Sequence, residues 1–139
     1  MAEVRKLSTA FSLDPSRKAQ GGRIEDPGHL RFIRTLPCLV TGRTDRIEAA
    51  HIRFGEPLVG KPKTPMGRKP DDSWVVPLCA YMHREGPEAQ HRGNERAWWI
   101  EQRIDCLQVA LALYSVSGNR DLALTIIMRA VRGVPAWAP

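Results

Sequence analysis

The sequence predicts an α+β domain, and three observations carry that prediction. Residues 47–54 and 74–78 are short stretches with the length and apolar content of strands, and the segment between them is too rich in proline and glycine to hold a regular element. Apolar residues from Ile104 to Tyr114 and from Leu122 to Val131 recur at helical spacing. Three histidines and two cysteines (His51, His83, His91, Cys38, Cys79) fall at the ends of the short apolar elements, where distant parts of a chain converge. The expected architecture is a small core of two strands and a helix, a basic Pro/Gly-rich loop, and additional packing helices at the C-terminus.

At 139 residues the chain has the length of one domain. Residues 1–25 are predicted to be a basic flexible arm and residues 26–139 a single domain. The arm is polar and poor in large apolar residues, ends near Gly21-Gly22, and has room for one helical turn near Phe11. There is no apolar run of membrane-spanning length and no secretory-type apolar segment at the N-terminus, so a cytoplasmic protein without membrane association is expected. Three cysteines form no disulfide framework, which suits a reducing compartment.

The net charge is +6 and is unevenly placed. Up to Lys69 there are fourteen Lys and Arg against seven Asp and Glu, whereas from Pro70 onward seven basic residues meet eight acidic ones. A basic first half favours a polyanionic partner, of which nucleic acid is the usual one.

Along the chain, Asp26-Pro27 is a helix start, with Asp as cap and Pro at the first helical position, and Leu30, Ile33 and Leu36 continue at helical spacing until Pro37. Cys38 to Gly42 has the form of a knuckle turn. Ile47 to Phe54 reads as a strand containing His51. From Gly55 to Ser73 there are four prolines, three glycines and four basic residues, so no regular element is expected there. A loop of that length is more often functional than idle, and it is read as a basic flap facing a substrate. Trp74 to Leu78 is a buried strand ending at Cys79. A helical register begins at Ala80 and is interrupted at Gly86-Pro87; Asn94 to Glu101 resumes it. The last two helices are closed by Gly118 and by Gly133 with Pro135.

Histidines on a first strand and on a following helix are an economical way to hold one divalent ion beside a general base. Phosphodiester hydrolysis needs an activated water and positive charge near the non-bridging and leaving oxygens, and an imidazole with a metal ion supplies both. In that scheme His51 is the base, and His83 and His91 hold the metal.

The words Leu36-Pro37-Cys38-Leu39-Val40, Glu48-Ala49-Ala50-His51-Ile52-Arg53, Gly67-Arg68-Lys69-Pro70-Asp71-Asp72, Val76-Pro77-Leu78-Cys79, His83-Arg84, Gln90-His91 and Asn94-Glu95-Arg96-Ala97-Trp98-Trp99 stand in this order over about half of the chain. In that set the segment from His29 to Trp99 resembles the HNH (ββα-metal) endonuclease superfamily, in particular its bacteriophage branch of recombination-enhancement, RecA-dependent (Ref-like) nucleases. The resemblance implies a ββα-metal core and a single-metal DNA endonuclease of phage or prophage recombination, working in a bacterial host cell beside a RecA-type recombinase filament. It implies His51 as general base and His83 and His91 as metal ligands, with Asp72 contributing a carboxylate to the metal or orienting a histidine. Mg²⁺ is the expected ion, with Mn²⁺ and Zn²⁺ as alternatives. Phosphate contacts are expected from Lys61, Lys63, Arg68 and Lys69 of the flap and from Arg53.

The chain departs from that pattern in two places. Many relatives carry C-x-x-C at both knuckles and hold a structural zinc, but here the second members are Thr41 and Met82. Two thiolates do not make a tetrahedral zinc site, so no structural zinc is expected, and Cys38 and Cys79 are read as small buried apolar side chains. The position often filled by Asn falls near Trp74, which cannot make amide hydrogen bonds, so a nucleic-acid-binding module of the same fold without cleavage is the alternative.

Overall fold

The structure, a computed structural model, describes residues 23–133, so the expected arm over residues 1–22, its turn near Phe11 and the stop at Pro135 lie outside the described residues. Residues 23–25 do not belong to an arm. The Ile24 N–H donates to Asp71 Oδ1 at 2.8 Å, the Ile24 carbonyl accepts from the Asp72 N–H at 2.9 Å, and Arg23 reaches Asp72. The domain therefore begins at least three residues earlier than its composition suggests.

The first helix, α1 (Pro27–Arg34), starts where the sequence places it, with the Asp26 carboxylate accepting from the His29 N–H at 3.0 Å and Pro27 at a position that needs no donor. Ile33 on its inner face is fully buried. Leu36 and Leu39 extend that apolar contact past the helix end, through the turn in which the Gly42 N–H bonds back to the Cys38 carbonyl.

Two strands follow, β1 (Ile47–His51) and β2 (Val75–Cys79), paired antiparallel with Ile47 opposite Cys79 and His51 opposite Val75. The pairing continues one bond further, from the Ile52 N–H to the Trp74 carbonyl. All five residues of β2 are buried, since α1 packs against the sheet and α3 (Cys106–Ser115) against β2. A proline inside such a strand ordinarily costs a ladder bond. Here the Pro77 carbonyl points away from β1 and accepts the Leu39 N–H, so the missing donor lies on the side that β1 does not use.

Between the strands, residues 55–73 are irregular except for one 3₁₀ turn, Pro57–Val59, closed by the Glu56–Lys61 bridge. The loop folds back tightly enough that a Cβ on Gly55 would lie 2.6 Å from the Lys63 nitrogen. After β2 comes a five-residue π-type turn, Tyr81–Glu85, in place of the α-helical register expected from Ala80; Gly86-Pro87 ends it as predicted. A 3₁₀ turn, Gln90–Arg92, leads into α2 (Glu95–Gln102), α3 and α4 (Arg120–Val131).

Each of these three helices is capped by a short polar side chain: Asn94 accepts from Ala97, Asp105 from Gln108 and Asn119 from Leu122. The Asp105 cap explains why α3 begins after Ile104. Leu113, Val109 and Ile127 complete one contiguous core with Ile33, Leu39, Val76 and Leu78. Among the described residues, no helix is long and apolar enough to cross a membrane.

Candidate functional site

His51 ends β1, and its ring meets a carboxylate from the far end of the long loop. His51 Nε2 stands 2.8 Å from Asp72 Oδ1. The same oxygen accepts from Arg23 Nη1 at 2.8 Å, and Asp72 Oδ2 accepts from the Asp26 N–H at 2.8 Å. Asp72 is 1% exposed. Burial alone would raise its pKa, but the donors from His51, Asp26 and Arg23 outweigh burial and hold it below the usual carboxylate value.

An ionised carboxylate only accepts, so neutral His51 must donate from Nε2 and carry its lone pair on Nδ1. Burial lowers the His51 pKa more than Asp72 raises it, and the charges of Arg23 and Lys69 push in the same direction as burial. The ring is thus held neutral near pH 7 in a fixed tautomer, with Nδ1 free to take a proton.

Asp72 was expected either to bind a metal or to orient a histidine. The structure gives it the second post. Its Oδ1 accepts from Arg23 and meets His51 Nε2, and its Oδ2 accepts from the Asp26 N–H.

His83 and His91 do come together, with ring centroids 4.3 Å apart and planes at 68°. His83 Nδ1 lies 2.7 Å from Glu48 Oε1 on β1, which fixes the tautomer so that Nε2 keeps its lone pair. Arg84 grips Glu48 through both carboxylate oxygens at 2.7–3.1 Å. With Arg84 first and His83 after it, these donors depress the Glu48 pKa to about 2 despite partial burial. Burial, and then the neighbouring His83, lowers the His91 pKa.

A carboxylate that orients an imidazole whose other nitrogen is free is the usual setting of a metal-binding histidine, so the chemistry of His83 and His91 fits a divalent ion. Two imidazoles suit Zn²⁺ or a similar borderline ion better than Mg²⁺, which prefers oxygen donors. Among the described residues, no group of three or more His, Cys, Asp or Glu is arranged to hold a metal by itself. His51 with Asp72 and His83 with His91 are separate groups, and Glu48 and His51 are three residues apart on β1, about 10 Å along the strand.

The five expected phosphate contacts divide. Lys63, Arg68 and Lys69 are exposed. Lys61 is not: it is 3% exposed, and its ammonium donates to the Phe54 carbonyl at 2.7 Å. The tight fold of the loop over Gly55 draws Lys61 inward, so it braces the loop from within. Arg53 is committed as well, donating to the carbonyls of Arg68 and Pro65 at 2.6 and 3.2 Å. Both residues shape the flap that carries the other three.

Cys38 and Cys79 are buried and free, as read from the sequence. Cys38 is more than an apolar filler, however. Its sulfur accepts from the Thr41 N–H at 3.5 Å, and the Thr41 hydroxyl lies 3.9 Å from Cys79 Sγ. Burial raises the Cys38 pKa, but the Thr41 hydroxyl and nearby backbone N–H groups bring it below the ordinary thiol value.

Sequence reasoning missed Glu48 and Arg23 as site residues. Glu48 had a signal, a charge inside an otherwise apolar strand three residues before His51. Arg23 had none, since its partner is 49 positions away. No protein-family model, curated protein or solved structure matches this chain.

Proposed function

We propose that this chain is a metal-dependent DNA endonuclease with an HNH-type ββα-metal core, hydrolysing phosphodiester bonds with His51 as general base. The observation that carries the reading is the Asp72–His51 pair, in which a buried carboxylate fixes the tautomer and leaves Nδ1 as the basic atom. In the proposed reaction, Nδ1 takes a proton from a water whose oxygen bonds to phosphorus as the bond to the leaving oxygen breaks. The imidazolium formed is stabilised by Asp72, and Arg23 and the Asp26 N–H hold that carboxylate in place. His83 and His91 would hold the divalent ion, which supplies positive charge toward the non-bridging and leaving oxygens. Lys63, Arg68 and Lys69 would contact phosphates.

The two-imidazole donor set moves the preferred ion from Mg²⁺ to Zn²⁺, with Mn²⁺, which like Mg²⁺ favours oxygen donors, behind it. Phage or prophage recombination in a bacterial cytoplasm, beside a RecA-type recombinase filament, is the setting implied by the sequence resemblance. A second reading, a nucleic-acid-binding module without cleavage, is favoured by the Arg84 grip on Glu48, which satisfies that carboxylate without any ion. Cleavage of DNA by the intact chain with Mg²⁺, Mn²⁺ or Zn²⁺, each against EDTA, separates the two. Ion-dependent cleavage supports the nuclease, and salt-sensitive binding without cleavage under every ion supports the binder.

A further inference from the structure

Beside the His51–Asp72 pair lies a cavity of about 190 Å³, walled by the two sides of the long loop and floored by Trp74. Its cationic walls are Arg23, Lys61, Lys63, Arg68 and Lys69, against the single carboxylate of Asp71. That carboxylate is already engaged by the Ile24 N–H, Lys61 by the Phe54 carbonyl and Arg23 by Asp72. Lys63, Arg68 and Lys69 are exposed at the mouth.

Trp74 is half-buried and its backbone is fixed on both sides, by its N–H to the Asp71 carbonyl and by its carbonyl to the Ile52 N–H. The indole is an aromatic surface at the end of the sheet, on the residue before Val75, which pairs with His51. The Lys61 ammonium stands 5.8 Å from the ring centroid. An aromatic floor under cationic walls matches the two parts of a nucleotide, a flat base and an anionic phosphate. The cavity is smaller than the roughly 300–1,000 Å³ of pockets for drug-sized ligands, so it admits a single ring system and little more.

We propose that this cavity receives one unpaired nucleotide of the substrate strand, its base against Trp74 and the adjoining phosphates on Lys63, Arg68 and Lys69, so that single-stranded DNA is the preferred substrate. A paired base is covered on both faces by its neighbours and cannot present a face to an indole recessed in a cavity; an unpaired one can. The shared Asp72 oxygen ties the cavity wall at Arg23 to the Nε2 side of His51. The inference rests on the nucleic-acid reading above but not on cleavage.

The test is binding in EDTA, by fluorescence anisotropy, of a labelled oligothymidine strand and of a labelled duplex of equal length, to the intact chain and to its Trp74→Leu and Trp74→Phe variants. The single strand binds more tightly than the duplex. Trp74→Leu weakens single-strand binding roughly 5–150-fold, as expected for loss of one base–aromatic stack, with duplex binding unchanged, and Trp74→Phe keeps most of it. Equal affinity for both forms, or equal loss of both in Trp74→Leu, overturns the proposal. Ultraviolet crosslinking of the unaltered chain is a second arm, independent of how the variants fold: the crosslink falls in the tryptic peptide of residues 69–84, and its absence there contradicts the proposal. If this binding pattern holds and no ion gives cleavage, the nuclease reading fails and the nucleotide site stands.

Discussion

Arg23 and His51 share one oxygen atom: Asp72 Oδ1 lies 2.8 Å from Arg23 Nη1 and 2.8 Å from His51 Nε2. The donors from His51, the Asp26 N–H and Arg23 keep the carboxylate ionised, the carboxylate holds the imidazole by one nitrogen, and the other nitrogen is left basic. The proposed catalysis depends on this arrangement.

Asp72→Asn replaces an obligate acceptor by an amide whose NH₂ can face Nε2, so the tautomer is no longer held. The turnover rate is expected to fall by about 10²–10⁴, the usual range for a positioned general base, with DNA affinity in EDTA changed little. An activity loss matched by an equal affinity loss would point to a structural defect.

His51 carries a pKa below the ordinary imidazole value because burial and the charges of Arg23 and Lys69 outweigh Asp72. The rate is expected to rise as pH increases through that lowered value and to level off at a lower pH than it would with an ordinary imidazole as base. The linked stability has the matching sign. With its folded pKa depressed, His51 contributes stability that is full above the unfolded value of about 6.5 and is lost as pH falls through the folded one. Arg23→Gln removes one lowering charge, so the His51 titration followed by NMR should move up; a downward move would contradict the assignment.

Lys61 and the exposed cations make opposite predictions. Neutralising Lys63, Arg68 and Lys69 together should reduce the slope of log affinity against log salt by about 2–3, at about 0.7–0.9 per phosphate contact. Lys61→Met should leave that slope unchanged. It should instead cost about 1–3 kcal/mol of stability, because the buried Phe54 carbonyl loses its charged donor. Denaturant titration and salt-dependent binding of the same variant check both halves.

Glu48, held near a pKa of about 2 by Arg84 and His83, contributes stability that is full above its unfolded value near 4.5 and is lost as pH falls toward 2. Glu48→Gln should flatten acid unfolding across that window. It should also weaken binding of Zn²⁺ or Mn²⁺ by about 10–100-fold, since His83 loses the partner that orients it. Calorimetry of ion binding without DNA reads this apart from activity.

What the sequence made legible was local. Asp26-Pro27, Asn94 and the Gly86-Pro87 break act on residues within one turn, and the structure has the elements where those signals put them. The two strands were legible because β2 is apolar throughout and β1 alternates short and charged residues around a buried Ala50. The site was legible only by residue type. His83 and His91 meet, and Asp72 pairs with His51, while its other partners are the Asp26 N–H and Arg23, the latter in a stretch that composition assigned to an arm. Lys61 was misread for a related reason: a lysine in a polar loop is ordinarily exposed, and only the return of the loop past Gly55 brings its ammonium to the Phe54 carbonyl.

Nδ1 of His51 is proposed as the base of a metal-dependent phosphodiesterase. That role is tested most directly by nicking of supercoiled plasmid and cleavage of single-stranded DNA by the intact chain and by His51→Ala, with Zn²⁺, Mn²⁺ or Mg²⁺ and with EDTA. Ion-dependent cleavage is expected, falling by about 10²–10⁴ in His51→Ala and partly restored by added imidazole. Cleavage that persists at the same rate in His51→Ala, or that proceeds undiminished in EDTA, would contradict it.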